Sequence, residues 1–183
     1  MAYISGGNEL LDAEKNLKRL GVKTGMYVAD LGCGGAGHFI IPAAKLVGGD
    51  GLAYAVDILK SVLQSVVSRA RLGGISNIKA VWSNLETPGA TNIPAGSLDA
   101  ALVINILFQS KQHDNILKEA VRLLKPGGKL LVIDWEKNNS SFGPPQLDRV
   151  TPQAVQSITG KLGLRLLEEF EAGPSHYGLT FQK

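Results

Sequence analysis

The residues best suited to binding chemistry lie in the segment VADLGCGGAG, at positions 28–37. Gly32, Gly34 and Gly37 follow the spacing G-x-G-x-x-G, and their missing side chains let a ligand approach the backbone closely. Such a turn presents backbone amides at the start of a helix, so its usual ligands are nucleotides. The same spacing also occurs in turns that hold no ligand, and the surrounding residues must decide between the two.

Two carboxylates stand beside this turn. Asp57 lies 20 residues after Gly37, where a carboxylate accepts hydrogen bonds from ribose hydroxyls. The alternative role for Asp57 is a cap on the following helix. Asp30 precedes the turn, where a negative charge repels a diphosphate and attracts a cation. The pair favours a positively charged nucleoside without phosphates, although the glycine spacing alone would also suit a nicotinamide-dependent oxidoreductase.

Apolar stretches of strand length alternate with segments of helical period, which predicts an α/β fold with a mostly parallel sheet. The predicted strands cover 26–32, 52–58, 77–82, 97–107 and 128–135, and the predicted helices cover 12–20, 38–48, 59–72, 114–124 and 151–162. Two further strands, 164–173 and 176–183, are too close in sequence for a crossover helix and should pair antiparallel. Because ligands bind where parallel strands end, this order brings Asp30 and Asp57 to one edge of the sheet.

The composition limits the remaining function classes. The 183 residues suit a single domain over 1–183, and no uninterrupted apolar run approaches the roughly 20 residues of a membrane span. No basic segment followed by an apolar block opens the chain, and the one cysteine, Cys33, permits no internal disulfide, so we expect a cytoplasmic protein. The net charge of +3 is scattered among acids, which argues only weakly for a nucleic-acid partner. No cysteine pair or histidine cluster indicates a metal site.

Five motifs, taken in order, resemble those of the class I S-adenosylmethionine-dependent methyltransferases. They are VADLGCGGAG, AVDI, SNLE, SLDAALVINIL and LLKPGGKLLVID. The similarity runs from about Asn8 to Phe181, in the manner of the small type 11 methyltransferase-domain proteins related to ubiquinone and menaquinone C-methyltransferases. It implies a Rossmann-like, doubly wound sheet of seven strands with a C-terminal antiparallel hairpin. It also implies S-adenosylmethionine as the cofactor and S-adenosylhomocysteine as its product.

The resemblance also implies which residues hold the methionine end of the cofactor. Asp30 would hold this end together with the backbone of Gly32 and Gly34, directly or through water. Cys33 lies inside the same turn, where a small side chain fits, and we interpret it as a packing residue of the site. Asn105 would lie beside the transferable methyl group. The family commonly reads G-x-G-x-G, and Ala36 stands where its third glycine would be.

The nucleoside end follows from the same resemblance. Asp57 would bind the ribose, and Ile58 would cover one face of the adenine. Asn84 stands where the family usually has an acid, and its side-chain carbonyl can still accept from the adenine amino group. Leu85 would supply a neighbouring amide and apolar cover. Glu86 could replace the missing acid, or it could be a solvated loop residue.

Methyl transfer is an in-line displacement with a neutral leaving group, so positioning can supply most of the catalysis and no catalytic residue is assigned. Four side chains are candidates for a general base: His113, Glu136, His176 and Tyr177. For each of them a packing or surface role is the favoured interpretation. Trp135 closes the fifth strand and is interpreted as a packing aromatic, although at that position it could also border an acceptor pocket.

The acceptor itself is less constrained by sequence. Any lid over the site must come from three short segments, 1–10, 105–112 and 136–150. INIL stands at 104–107, where methyltransferases of amides and amino bases carry an Asn-Pro-Pro-Tyr motif, and this disfavours those enzymes. We expect a small organic acceptor. An RNA or protein acceptor remains an alternative, as does a non-catalytic subunit that binds S-adenosylmethionine for a partner.

Overall fold

A seven-stranded sheet forms the centre of the protein in a computed structural model that describes residues 10–137 and 142–183. The strands are β1 (Tyr27–Leu31), β2 (Leu52–Asp57), β3 (Ile78–Trp82), β4 (Leu98–Ile104), β5 (Leu124–Trp135), β6 (Arg165–Gly173) and β7 (His176–Gln182). The α-helices are α1 (Ala13–Leu20), α2 (Ile40–Val47), α3 (Lys60–Leu72), α4 (His113–Leu123) and α5 (Pro152–Lys161). None of the helices in the described ranges has the length and apolar character needed to cross a bilayer.

The strand order is β3-β2-β1-β4-β5-β7-β6. The first five strands in this order pair in parallel, whereas β7 pairs antiparallel with both β5 and β6. This order confirms the predicted Rossmann-like sheet with a C-terminal antiparallel hairpin. The strand order reverses between β1 and β4, and ligands of doubly wound folds bind at the carboxyl ends of the strands at such a point.

Helices cover both faces of the sheet, which explains why the central strands read as continuous apolar runs. Helices α1, α2 and α3 pack on one face, and α4 and α5 pack on the other. Each face has its own cluster of buried side chains, with Leu17 and Val66 in the first and Leu117 and Val155 in the second. Burial on both faces fixes the strands, so the residues at their carboxyl ends are held in place.

The structure corrects three predicted boundaries. Helix α2 begins at Ile40 and not at 38, which places Pro42 in the first turn, where no amide donor is needed. Strand β5 begins at Leu124 and not at 128, because Leu124, directly after α4, already pairs with Leu98 of β4. Strand β4 ends at Ile104 and not at 107, because Asn105 has a φ of 53° and turns the chain out of the sheet.

Candidate active site

The glycine turn connects β1 to α2 at the carboxyl edge of the sheet. Gly32, Gly34 and Gly37 have φ values of 87°, 63° and 63°, which side chains other than glycine rarely adopt. A Cβ on Gly32 would lie 2.5 Å from the Ile106 side chain, whereas a Cβ on Gly34 would meet nothing within 4 Å. The two positions therefore need glycine for different reasons, and the space beside Gly34 is open to a ligand.

Asp30 precedes this turn, near the end of β1, and is only 2% exposed. Its carboxylate accepts a hydrogen bond from the Ile40 amide at the start of α2. Burial, together with the nearby charge of Asp57, raises the pKa of Asp30 to about 7 despite that bond. Within the described part of the chain, no basic side chain forms an ion pair with Asp30. Among the described residues, Asp30 is thus a buried acid without a basic partner.

Asp57 ends β2 and faces the same turn. One carboxylate oxygen accepts from the Leu59 amide at 2.9 Å, and the other accepts from the Gly34 amide at 3.3 Å. The first bond is an Asx turn that precedes α3. The N-cap of α3 is Leu59, without a side-chain cap, so the alternative role of Asp57 as the cap of that helix is wrong. The second bond joins β2 to the glycine turn. Its length of 3.3 Å is at the weak end of the normal range, so a hydroxyl could displace it at little cost.

The residues expected around the adenine surround the ends of β2 and β3. The Ile58 side chain is 52% exposed, and its carbonyl accepts from the Trp82 indole at 2.7 Å. Leu85 is partly buried against the core. The Asn84 side-chain oxygen accepts from the Glu86 amide at 3.0 Å. An exposed aliphatic side chain and an amide side chain therefore lie at the expected end of the site.

Glu86 is half-buried and hydrogen-bonded, so it is not a solvated loop residue, and its role in place of the missing acid stays a prediction. Its carboxylate accepts from the Ser110 hydroxyl at 2.5 Å and from the Gln112 side chain at 3.2 Å. Both partners lie in the segment that follows β4. Glu86 therefore joins the loop after β3 to the segment after β4, a tertiary contact with no local sequence signal.

Asn105 lies where β4 ends, between the glycine turn and β5, and it is buried. Its amide donates to the Ile133 carbonyl at 2.8 Å, and its own carbonyl accepts from the Gln109 side chain at 2.8 Å. The following Ile106 side chain lies against Gly32. The chain leaving β4 is thereby placed beside the glycine turn, as the expected position next to a methyl group requires.

The end of β5 carries a stack of rings. Trp135 lies 4.2 Å from the His176 ring and 5.7 Å from the Phe142 ring, measured between centroids. Arg149 lies over Trp135 and donates to the carbonyls of Glu136, Pro144 and Phe142. Trp135 is buried by this cover. The interpretation of Trp135 as a packing aromatic is therefore confirmed, and the ring exposed there is that of Phe142, at 58%.

Comparison with known proteins decides the family. Residues 22–171 match the family model described as "Methyltransferase domain". The chain belongs to this family of S-adenosylmethionine-dependent methyltransferases. A solved structure of a SAM dependent methyltransferase from Aquifex aeolicus superposes with a TM-score of 0.86 at 26% identity, over 97% of this chain and 92% of that one.

Two named relatives are similar over most of this chain. A ubiquinone/menaquinone biosynthesis C-methyltransferase from a Marinomonas species is 32% identical over 162 residues, which cover 87% of this chain and 62% of that protein. A demethylmenaquinone methyltransferase from a Geobacillus species is 28% identical over 171 residues, with coverages of 92% and 70%. The methyltransferase chain thus spans about three-fifths of the length of the Marinomonas relative.

The donor side of this methyltransferase domain fits S-adenosylmethionine, the cosubstrate that family membership implies. Asp30 offers a buried charge for the ammonium group, and the open space at Gly34 lets the methionine end approach the backbone. Asp57 and Asn84 offer oxygen acceptors, and Ile58 offers an exposed apolar face. The assignments of the nine expected cofactor-binding residues stay predictions, since they depend on a bound cofactor. The other four of these nine residues are Gly32, Cys33, Leu85 and Asn105.

Three of the four candidate bases of the methyltransferase, Glu136, His176 and Tyr177, line one cavity beside the β6–β7 hairpin, whereas His113 is not among its lining residues. His176 is 2% exposed, and neither ring nitrogen finds a partner among the described residues. Burial and the charge of Arg149 lower the pKa of His176 to about 4, so the ring is neutral at physiological pH. Burial raises the pKa of the Tyr177 hydroxyl, which is also without a partner there. Glu136 is half-buried at the end of β5, and His113 begins α4.

A cavity of about 320 Å³ lies beside the β6–β7 hairpin, lined in part by Glu136, Glu169 and Tyr177. It is on the far side of β5 from the glycine turn, so it is not the donor site. Within 10–137 and 142–183, no three acidic, histidine or cysteine side chains come close enough together to hold a metal ion. Of the predicted lid, residues 1–9 and 138–141 lie outside the described residues.

Two acids that hold the site together had not been predicted from sequence. Glu119 in α4 accepts from the amides of Gly89 and Thr91 and from Arg122, which ties the loop after β3 to the helix layer. Burial opposes its ionisation, but these hydrogen bonds lower the pKa of Glu119 to about 2. Asp134 in β5 is fully buried. An acid inside the apolar run LLVIDW was the signal that could have identified it.

Proposed function

We propose that the chain transfers a methyl group from S-adenosylmethionine to a small organic acceptor by in-line displacement. The observation that carries the proposal is the buried carboxylate of Asp30 beneath an open glycine turn. A buried acid without a cation is costly, and such groups concentrate at functional sites. S-Adenosylmethionine carries positively charged groups, its ammonium and its sulfonium, which would offset the charge of Asp30.

S-Adenosylmethionine supplies a methyl group bonded to a sulfonium, with a neutral thioether as the leaving group. Asp30 favours the cationic end of the ligand through its charge. Asp57 would accept from the ribose hydroxyls in place of its long bond to Gly34. Asn105 and Ile106, held beside Gly32, would flank the methyl group. These residues bind and orient, which is the main requirement for a displacement at an already activated carbon.

A nicotinamide dinucleotide suits these groups less well. Its diphosphate would have to lie at a turn that Asp30 directly precedes, and this carboxylate would repel it, whereas Asp57 could bind the ribose of either ligand. No basic side chain of the described residues pairs with either acid to offset that repulsion. The charge arrangement therefore supports the sulfonium cosubstrate over the dinucleotide.

A small acceptor is supported by two observations. The two named relatives are methyltransferases of quinone biosynthesis by their names. In this chain only 16 residues connect β5 to α5, and the ring of Phe142 is exposed beside the end of β5. An exposed aromatic ring favours contact with an apolar or aromatic acceptor.

The first experiment measures binding by calorimetry, with S-adenosylhomocysteine and NADH titrated separately. Binding of S-adenosylhomocysteine in the micromolar range, with no heat from NADH, supports the proposal. Binding of NADH with S-adenosylhomocysteine ignored would refute it.

The second experiment follows transfer of a labelled methyl group to a panel of demethylated quinols, phenols, carboxylic acids and amines. Labelling of a member of this panel supports a small acceptor. Labelling of only the RNA or protein added in parallel would replace that part of the proposal. Binding of S-adenosylhomocysteine without labelling of any acceptor would favour the non-catalytic subunit.

A further inference from the structure

The buried carboxylate of Asp134 joins the two strands on the acceptor side of the site. Asp134 belongs to β5, which lies between β4 and β7, and its side chain has no exposed surface. One oxygen accepts from the Trp135 amide at 2.8 Å, and the other accepts from the Leu107 amide at 3.0 Å. The Phe108 amide also donates to the carboxylate. One side chain therefore holds three backbone amides from two segments.

Two of these amides belong to the short 3₁₀ helix Leu107–Gln109, which follows Asn105 and Ile106 directly. The start of this stretch is also bound to β5 by the Asn105 amide, which donates to the Ile133 carbonyl at 2.8 Å. Ile106 fills the space against Gly32. The position of the chain beside the glycine turn therefore depends on two anchors to β5, one from backbone and one from Asp134.

The choice of an acid at this position needs an explanation, since a buried carboxylate is unfavourable. Burial raises the pKa of Asp134 to about 7 although three amides donate to it. An asparagine would present one oxygen and one NH2 group, so one of the facing amides would lose its acceptor. Only a carboxylate offers acceptors alone on both atoms. By accepting from all three amides, the carboxylate fixes the segment in one place.

We propose that Asp134 is a positioning residue for methyl transfer, which holds the 105–110 segment against the glycine turn so that Asn105 and Ile106 flank the transferred methyl group. This role rests on the proposed function. Asp134 touches neither cosubstrate nor acceptor, because it is fully covered by protein. It acts through the Leu107 and Phe108 amides alone.

The test compares the wild-type chain with Asp134→Asn and with a matched control, Asp99→Asn. The Asp99 carboxylate also accepts a backbone amide, that of Tyr27 at 2.8 Å, and pairs with Lys125, but at the opposite edge of the sheet. Hydrogen exchange is followed by NMR at the Leu107 and Phe108 amides. We expect Asp134→Asn to speed their exchange about ten- to hundredfold, as loss of a charged acceptor predicts, and Asp99→Asn to leave it unchanged.

The second readout is kinetic, with the acceptor found in the labelling panel. Asp134→Asn should lower kcat about ten- to hundredfold, the effect of a displaced reacting group. The KM for S-adenosylmethionine and the affinity for S-adenosylhomocysteine should change less than about threefold, because the donor contacts of Asp30 and Asp57 remain. If Asp134 had only a structural role, Asp134→Asn would lower the stability of the protein but would not lower kcat selectively while KM stays nearly unchanged.

A further variant covers the case in which Asp134→Asn does not fold. Ile106→Ala keeps Asp134 and its bonds but removes the side chain that rests on Gly32, and it should also lower kcat. Unchanged exchange at Leu107 and Phe108 in a folded Asp134→Asn protein, or kcat equal to wild type in both variants, overturns the positioning role alone. Failure of the wild-type chain to bind S-adenosylhomocysteine overturns the proposed function, and this role with it.

Discussion

Replacement of Asp30 by asparagine should move stability and cosubstrate binding in opposite directions. The structure raises the pKa of Asp30 from its ordinary value of 3.8 to about 7, first through burial and then through the charge of Asp57. A difference of this size corresponds to about 4 kcal/mol spent on holding the carboxylate ionised. Asparagine has no charge to bury, and its oxygen can still accept from the Ile40 amide.

The sign of the pH dependence follows from linkage. Between about pH 4 and pH 7 the folded state keeps a proton on Asp30 that the unfolded state has lost, so the stability falls as the pH rises through this range and levels above about 7. Asp30→Asn should therefore stabilise the fold at pH 8 by up to about 4 kcal/mol, and the gain should shrink towards pH 4. Asp134 also has a raised pKa, but it is common to both proteins and cancels in the difference.

Binding should respond in the other direction. A cation beside Asp30 favours the ionised carboxylate, so the affinity of the wild-type protein for S-adenosylhomocysteine should rise with pH up to about 7 and then level. Asp30→Asn should weaken this affinity by about 1.5–3 kcal/mol at pH 7.5, the usual loss for a hydrogen bond to a charged group, and should remove the slope.

Denaturant unfolding and calorimetry at pH 5 and pH 8 measure both quantities in the same samples. A variant that is less stable at pH 8 and binds S-adenosylhomocysteine as tightly as wild type would refute the reasoning. Asp30 would then be a structural cap for the Ile40 amide, and its charge would have no ligand to receive.

Three further changes test other parts of the site. Asp57→Asn should weaken S-adenosylhomocysteine binding by about 1–3 kcal/mol in calorimetry, and unchanged affinity would remove the ribose assignment. Gly34→Ala should cost about 1–2 kcal/mol of stability in urea unfolding, because φ is 63° but no atom lies within 4 Å of the added Cβ. Its affinity for S-adenosylhomocysteine should fall at least about tenfold if the ligand uses that space, and equal affinity would show that it does not. Glu119→Gln should lower the free energy of unfolding by about 1–3 kcal/mol at pH 7. This loss should disappear as the pH falls from about 4.5 to about 2, because the wild-type carboxyl then also becomes neutral. A loss that is independent of pH would contradict the role of the Glu119 charge.

The sequence predicted the sheet well because its signals are local. Each predicted parallel strand is an apolar run with a glycine shortly before it, and the short spacing between 164–173 and 176–183 allows only a hairpin. The fold and the family were confirmed, whereas the single-domain interpretation over 1–183 stays a prediction. The predicted end of β4 was wrong, because the positive φ of Asn105 turns the chain out of the sheet three residues before the apolar run ends.

The candidate site was predictable only in part, for the same physical reason. The glycine turn and Asp57 carry a fixed spacing and could be found from sequence. The bonds from Glu86 to Ser110 and from Glu119 to the loop after β3 join residues more than 20 positions apart, and no pattern within either segment marks them. The buried state of His176 depends likewise on its stacking against Trp135.

The two buried carboxylates at the strand ends make different demands on their surroundings. Asp134 faces three backbone amides, so its hydrogen-bonding needs are met by the protein itself. Asp30 receives one amide and has Asp57 as a neighbouring charge of the same sign. Both have a pKa of about 7, but Asp30 directly precedes the glycine turn, in which the space beside Gly34 is open, whereas Asp134 is fully covered. A positive charge bound at the turn would therefore favour the ionised form of Asp30 and would not contact Asp134, which is the reason for proposing a binding role for the first acid and a positioning role for the second.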